Sequence, residues 1–164
     1  MQTSLWKWNR LDWVEAKKAR LAGEGVTFQL YESELTLALL DFVSREFPGD
    51  WVRVVREAMG HILQGEPANR LICAVEGGRV LGFAHHIQER FGPIGVASSQ
   101  RGRGLGQVLM WETLHAQRAQ GIRASWFLWS DDSTAARLYN SAGFVEVRRF
   151  ALLKKSLEEK GTTT

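Results

Sequence analysis

Three glycines in five residues, with two arginines between and beside them, mark the segment Gln100-Arg101-Gly102-Arg103-Gly104-Leu105-Gly106 as the place where this chain is best equipped for chemistry. Glycine tolerates backbone curvature that other residues resist, so successive N–H groups can be turned toward one point. The strongly apolar helical pattern that follows adds the positive end of its dipole and its unpaired first-turn amides. Arg101 and Arg103 add formal charge. Such a segment predicts a phosphate or diphosphate site. The alternative is a solvated flexible turn, which has little use for this glycine spacing. Two other phosphate loops fit poorly. A Walker-type loop needs Lys-Ser or Lys-Thr after its last glycine, and Gln107-Val108 stands there instead. A dinucleotide fingerprint belongs after the first strand of a parallel fold, and these glycines come late.

Other reactive side chains are scattered. Cys73, the single cysteine, sits inside the apolar run Leu71 to Val75 and reads as a buried thiol without a disulfide partner. No His or Cys cluster has metal-ligand spacing, so no metal is expected. His85 and His86 are adjacent on a strand pattern and must point to opposite faces, which lets one of them reach a site on the sheet. Glu89 lies in the turn that follows.

The elements that must position the glycine loop can be read from periodicity and breakers. Asp12 caps a helix ending near Ala22, stopped by Gly23 and Gly25. Val26 to Tyr31 alternates as a strand. Leu35, Leu39, Val43 and Phe47 share a helical face, and after Pro48-Gly49 a second helix presents Trp51, Val55, Ala58, Met59 and Ile62. Leu71 to Glu76 and Arg79 to Ile87 form a hairpin across Gly77-Gly78. Phe91 to Ser98 is a strand leading into the loop. Residues 104–120 form a helix, Arg123 to Ser130 a central strand, Asp132 to Ala142 a short helix, and Phe144 to Leu153 a last strand. The expected fold is α/β: a mostly antiparallel mixed sheet of six to seven strands, one parallel strand–helix–strand crossover, and helices on both faces.

The 164 residues suit one domain, with 45% hydrophobic and 24% charged residues. The expected division is a lead-in helix at 1–24, the main domain at 25–155 and a tail at 156–164. Net charge is +3 and the isoelectric point about 9.3, but the basic residues form no stripe, so no nucleic-acid partner is expected. No apolar run is long enough to span a bilayer and residues 1–10 lack a signal-peptide core, so the expectation is a cytoplasmic protein without a membrane partner.

Arg101 to Gly106 resembles the acetyl-CoA loop of GCN5-related N-acetyltransferases, R/Q-x-x-G-x-G/A. Asp132-Ser133-Thr134-Ala135-Ala136-Arg137-Leu138-Tyr139-Asn140-Ser141-Ala142-Gly143-Phe144 resembles that family's second signature, N-x-x-A-x-x-L-Y-x-x-x-G-F. The two occur in the family's order and separation, and Ile94-Gly95-Val96 precedes the loop as the family's fourth strand does. The resemblance is close over residues 91–150 and looser over 26–155. The run Arg90 to Val96, with Trp126 to Trp129, looks like a subgroup in which two such domains occur in tandem.

The resemblance implies acetyl-CoA as co-substrate and a primary amine of a small molecule or peptide as acceptor. Arg101, Gly102, Arg103, Gly104, Leu105 and Gly106 would bind the pyrophosphate, with Gln107 adding an amide. Backbone groups of Ile94 and Val96 would pair with the pantetheine arm in a wedge between the fourth and fifth strands of the family fold. Val96 N–H would polarise the thioester carbonyl. Asp132 and Ala135 fall in the cofactor-binding signature, Asp132 standing where the family commonly has Asn and also fitting as a helix cap. Tyr139 matches the tyrosine that protonates the leaving thiolate, and it also fits as a core residue. Glu89 is the candidate base, an exposed turn carboxylate being the alternative. The acceptor pocket is expected around Phe47 to Trp51 and the third strand. The family's seventh strand has no counterpart here, so an edge completed by a partner chain, a homodimer, is expected. A non-catalytic acyl-CoA-binding domain is the alternative function.

Overall fold

The structure is a computed structural model and describes residues 1–5, 12–47, 49–128 and 134–148. Among these, six strands form one sheet: β1 (Gln2–Ser4), β2 (Val26–Leu30), β3 (Asn69–Glu76), β4 (Arg79–Ile87), β5 (Arg90–Val96) and β6 (Ala124–Trp126). Five α-helices flank it: α1 (Asp12–Gly23), α2 (Thr36–Glu46), α3 (Asp50–Leu63), α4 (Leu105–Ala119) and α5 (Thr134–Ser141). The strand order is β1-β6-β5-β4-β3-β2, and every neighbouring pair is antiparallel except β5 with β6. This is the mixed sheet with a single parallel crossover that the alternation and the glycine turns predict.

Two apolar layers sandwich the sheet. On one face, Leu39, Phe42 and Val43 of α2 and Val55, Ala58 and Met59 of α3 pack against Leu71, Cys73 and Phe83. On the other, Val14 and Leu21 of α1 and Leu105, Val108, Leu109 and Trp111 of α4 cover Ile72, Ala74, Leu81 and Ala84. A third cluster joins Phe91 and Phe127 to Met110 and Leu114 of α4 and to Ala142 and Phe144 beyond α5. Each fully buried Leu or Phe contributes about 1.5–3 kcal/mol. Cys73 is wholly buried, and burial pushes its thiol up to about 12, which fits a packing residue.

The termini differ from expectation. Gln2–Ser4 pair with β6 in register Gln2↔Trp126 to Ser4↔Ala124, taking the position beside β6. Within 144–148 the expected last strand amounts to one bridge, Gln2 with Val145. Thr3 explains part of this hold, since its buried hydroxyl donates to Ala142 O at 3.1 Å. The rest of that strand, residues 149–153, lies outside the described residues, as do Trp129-Ser130, Asp132 and the tail. α2 starts later than its pattern suggests because Ser33–Leu35 form a 3-10 turn first.

Candidate active site

The sheet opens beside β5. β5 and β6 share one paired position, Arg90 with Trp126, where Trp126 N–H donates to Glu89 O at 2.9 Å. β6 ends at Trp126, and the N–H of the following Phe127 donates to Met1 O on the β1 side. Among the described residues, β5 beyond this junction has β4 on one side only. Ala97 N–H donates to Leu81 O at 2.9 Å, and Phe83 faces Gly95 in the same register. Bonded antiparallel pairs alternate with unbonded ones. The backbone groups of Gly95 therefore serve β4, while those of Ile94 and Val96 point toward the side that β6 has left. The result, among the described residues, is an unpaired sheet edge inside the sheet, with both residues half-buried. A bulge lies just before it: Ala84 pairs with Ile94 and His86 with Phe91, so Gly92 and Pro93 together oppose His85.

The glycine loop stands at the end of this edge. Gly102 (φ 79°) and Gly104 (φ 94°) are both left-handed, and Gly104 is the N-cap of α4 without a side-chain cap. Among the described residues the N–H groups of Gly102, Arg103, Gly104, Leu105 and Gly106 meet no acceptor. Gln107 N–H is already engaged, donating to Gly104 O at 3.1 Å. Gly106 faces the open edge and lies in contact distance of Leu138 on α5 and Val96 on β5, each 3.6 Å from where its Cβ would be. The loop, β5 and α5 thus meet at one point. Concentrated unpaired amides and a helix dipole make this the strongest anion site that the described backbone offers.

Helix α1 braces the loop from the other side, a relationship no local pattern announces. Arg20 Nη2 donates to Arg103 O at 2.6 Å, and Lys17 Nζ bonds the side chain of Gln107. The Arg103 guanidinium is held by Glu24 at 2.6 Å, with Glu76 at 3.8 Å and a bond to Gln100. Hydrogen bonding to Arg103 holds the Glu24 carboxyl below its usual range. Arg101 is exposed. Ahead of the loop, Ser98 N–H donates to Glu46 at 2.9 Å, and this bond holds the Glu46 carboxyl low. Lys17, Arg20, Glu24 and Glu46 are therefore site residues that the sequence reading missed. Helix patterning of α1 signals its existence, but not its docking on residues more than eighty positions away.

Tyr139 lies on α5 among aromatic rings, with Phe127 at 4.3 Å between centroids and Phe91 edge-on at 6.3 Å. Ala135 is half-buried on the same helix. Glu89 is exposed at the β4–β5 turn, where its carbonyl also accepts from Ser125 Oγ at 3.4 Å. It marks the closed end of the edge, before the bulge, whereas the loop marks the open end.

The two adjacent histidines do separate to opposite faces. His85 Nε2 donates to Asn69 Oδ1 at 3.1 Å and Nδ1 lies 3.3 Å from Gly92 O. Asn69 Nδ2 donates to Glu66 at 3.1 Å, and His61 Nδ1 donates to Glu66 at 2.8 Å. A polar chain thus runs from the bulge to the surface on the α2–α3 side. Among the described residues neither ring nitrogen of buried His86 has a partner within hydrogen-bond geometry, although the nearby Gln88 backbone favours its charged form. Burial pushes both imidazoles down to about 4, so both are neutral at pH 7.

On the same face as His85, Phe47 and Trp51 stack at 4.7 Å with ring planes 13° apart. Phe83 meets both edge-on, at 6.3 and 6.1 Å. A cavity of about 350 Å³ lined by Glu15, Lys18, Trp111, Glu112, His115 and Arg118 lies elsewhere, along the outer side of α1 and α4. No helix among the described residues is long and apolar enough to cross a membrane.

Residues 67–146 match the sequence profile of the acetyltransferase (GNAT) domain family. No curated protein matches the chain. Among solved structures, the aminoglycoside acetyltransferase AAC(6')-Iy, in complex with the bisubstrate analogue CoA-S-monomethyl-acetylneamine, is 19% identical with a TM-score of 0.65. That alignment covers 80% of this chain and 99% of the other. A GCN5-related glucosamine N-acetyltransferase region of a fungal multi-domain β-N-acetylglucosaminidase is 20% identical with a TM-score of 0.68, covering 85% of this chain and 18% of that one. A GCN5-related N-acetyltransferase from Sphaerobacter thermophilus is 24% identical with a TM-score of 0.58, covering 73% and 41%. The fold is that of the GNAT acetyltransferases, as the two sequence signatures implied.

Proposed function

We propose that this chain, whose residues 67–146 match the GNAT acetyltransferase profile, moves an acetyl group from acetyl-CoA to a primary amine of a small molecule or peptide by direct attack within a ternary complex. The observation that carries this reading is the continuity of two unpaired backbone surfaces, the amides of Gly102 to Gly106 and the free edge at Ile94 and Val96. The first suits a diphosphate and the second an extended amide-bearing arm that adds like a strand. A single ligand with both parts fits coenzyme A. The solved AAC(6')-Iy complex with a CoA-linked analogue supports the same class.

In this reading the amides of Gly102, Arg103, Gly104, Leu105 and Gly106 hold the pyrophosphate, with exposed Arg101 as a mobile counter-charge. Arg103 and Gln107 contribute less than their positions suggest, because Glu24 and Lys17 occupy their side chains and Gln107 N–H serves Gly104 O. Val96 N–H, aimed into the wedge, polarises the thioester carbonyl. The unprotonated amine attacks that carbonyl carbon, the N–C bond forms and the C–S bond breaks. The proton released by nitrogen passes to Glu89 through water, since Glu89 sits at the far end of β5. The departing thiolate takes the Tyr139 phenol proton, and solvent restores it. Ala135 lines the cofactor beside Tyr139, and Asp132 belongs to the same signature.

The remoteness of Glu89 from the open edge favours one other reading, an acyl-CoA-binding domain without catalysis. A panel of primary amines with acetyl-CoA, followed by thiol release, separates the two. Transfer to a panel amine at an enzymatic rate supports the first. Tight coenzyme A binding with no transfer to any amine supports the second.

A further inference from the structure

The acceptor side of the wedge carries a feature that the acetyl-transfer reading does not use. Phe47 ends α2 and lies directly on β5: a Cβ added to Gly95 would stand 2.6 Å from Phe47 Cε2. Gly95 lies between Ile94 and Val96, the two residues whose backbones face the wedge. Trp51, the second residue of α3, stacks on Phe47 and is half-buried. Phe83, fully buried, and Phe42 brace the pair from below, with Phe42 and Phe47 centroids 5.9 Å apart. The stack is therefore held in place before any ligand arrives, which lowers the entropic cost of binding against it.

Charge on this face is equally specific. The carboxylates of α2 and α3 all have partners. Asp41 is held by Arg45 at 2.7 Å, Glu46 by Ser98 N–H at 2.9 Å, and Asp50 and Glu57 by Arg53 at 3.1 and 2.9 Å. Glu66 is shared between His61 and Asn69. The two groups nearest the bulge, His85 and Asn69, are uncharged at neutral pH. A polycation brought here would have to compete with Arg45 and Arg53 for these carboxylates, which leaves it less to gain than unpaired ones would offer. A single ammonium on a flat apolar body meets the opposite case, since a Trp face stabilises both a ring and one nearby cation.

Resting on the acetyl-transfer reading, we propose that Phe47 and Trp51 select the acceptor, and that the acceptor is an arylalkylamine, a primary amine joined by a short chain to an uncharged aromatic ring. The ring packs on the accessible part of Trp51 and presents its nitrogen to the wedge. The reaction is the transfer already written, so bonds and protons balance in the same way.

The test compares kcat/KM of the full chain with acetyl-CoA for 2-phenylethylamine, tryptamine, spermidine and neamine. Coenzyme A binding is measured separately by calorimetry. The expected result is a preference of about tenfold or more for the two aromatic amines, as one ring-stacking contact provides. Trp51→Ala should remove most of that preference, and Trp51→Phe should keep most of it, with coenzyme A affinity unchanged in both. Preference for spermidine or neamine overturns the proposal while leaving acetyl transfer intact. Coenzyme A binding with no amine acetylated overturns it as well. Failure to bind coenzyme A instead removes the reading on which it rests. Should Trp51→Ala not fold, the wild-type ranking and Trp51→Phe still decide.

Discussion

Arg103 and Glu24 form an ion pair at 2.6 Å that ties the glycine loop to the residue just after helix α1, across 79 positions of sequence. The arginine that looks most ready to meet a phosphate is thereby neutralised in advance. Replacing Glu24 with Gln keeps the shape and removes one negative charge beside the loop. Coenzyme A affinity should rise by about two- to fivefold at low salt, and the gain should vanish near 1 M salt, where the screening length falls to about 3 Å. Calorimetry at two ionic strengths checks this, and a salt-independent change would point to altered loop shape instead.

Gly104 adopts φ 94°, and a Cβ there would lie 3.3 Å from Lys17 Cδ. Gly104→Glu strains the cap and puts a carboxylate on the anion site. Coenzyme A affinity should fall by about 100-fold or more, as expected for roughly 3 kcal/mol of lost contact and repulsion. Binding equal to wild type would show that the loop does not hold the cofactor.

Tyr139→Phe preserves the ring in its aromatic cluster and removes the phenol proton. Turnover should drop by about 100-fold with coenzyme A affinity unchanged. Unaltered turnover with the best amine acceptor would leave Tyr139 as a packing residue only.

Gly95→Ala should destabilise the fold by about 1–3 kcal/mol, because the methyl must displace a Phe47 ring that is confined by Trp51. Phe47→Leu in the same background should recover part of the loss. Urea denaturation of both singles and the double measures that coupling. Additive effects would mean that the ring and the strand do not share the space.

His86 is depressed from 6.5 to about 4 by burial, then by His85. Its stabilising effect is complete above pH 6.5, where folded and unfolded chains are both neutral. It is lost as pH falls toward 4, because the unfolded chain takes up the proton first. Tm should fall between pH 7 and pH 4.5, and His86→Leu should flatten that dependence by up to about 3 kcal/mol. An unchanged slope would assign the acid sensitivity to other groups.

The loop and the hairpin pairing of β3, β4 and β5 were legible because their signals are local. Glycine spacing, the Gly77-Gly78 turn and the alternation of β3, β4 and β5 act over a few residues. The separation of His85 and His86 followed from the same alternation. β1 was illegible because three residues carry no period, and what joins them to the sheet is tertiary: the bond of Thr3 to Ala142 and the bridge of Gln2 to Val145. The bracing of the loop by Lys17 and Arg20, and the chain from His85 through Asn69 to Glu66, were equally hidden. They link residues that only tertiary packing brings together, and exposed Lys, Arg and Glu on a helix look the same whether solvated or docked.

The most direct measurement is a crystal structure of the chain with coenzyme A. The diphosphate should lie within hydrogen-bond distance of the amides of Gly102 to Gly106, with the pantetheine arm paired to Ile94 and Val96. A diphosphate bound elsewhere, or an arm that does not enter between β5 and β6, would contradict the account.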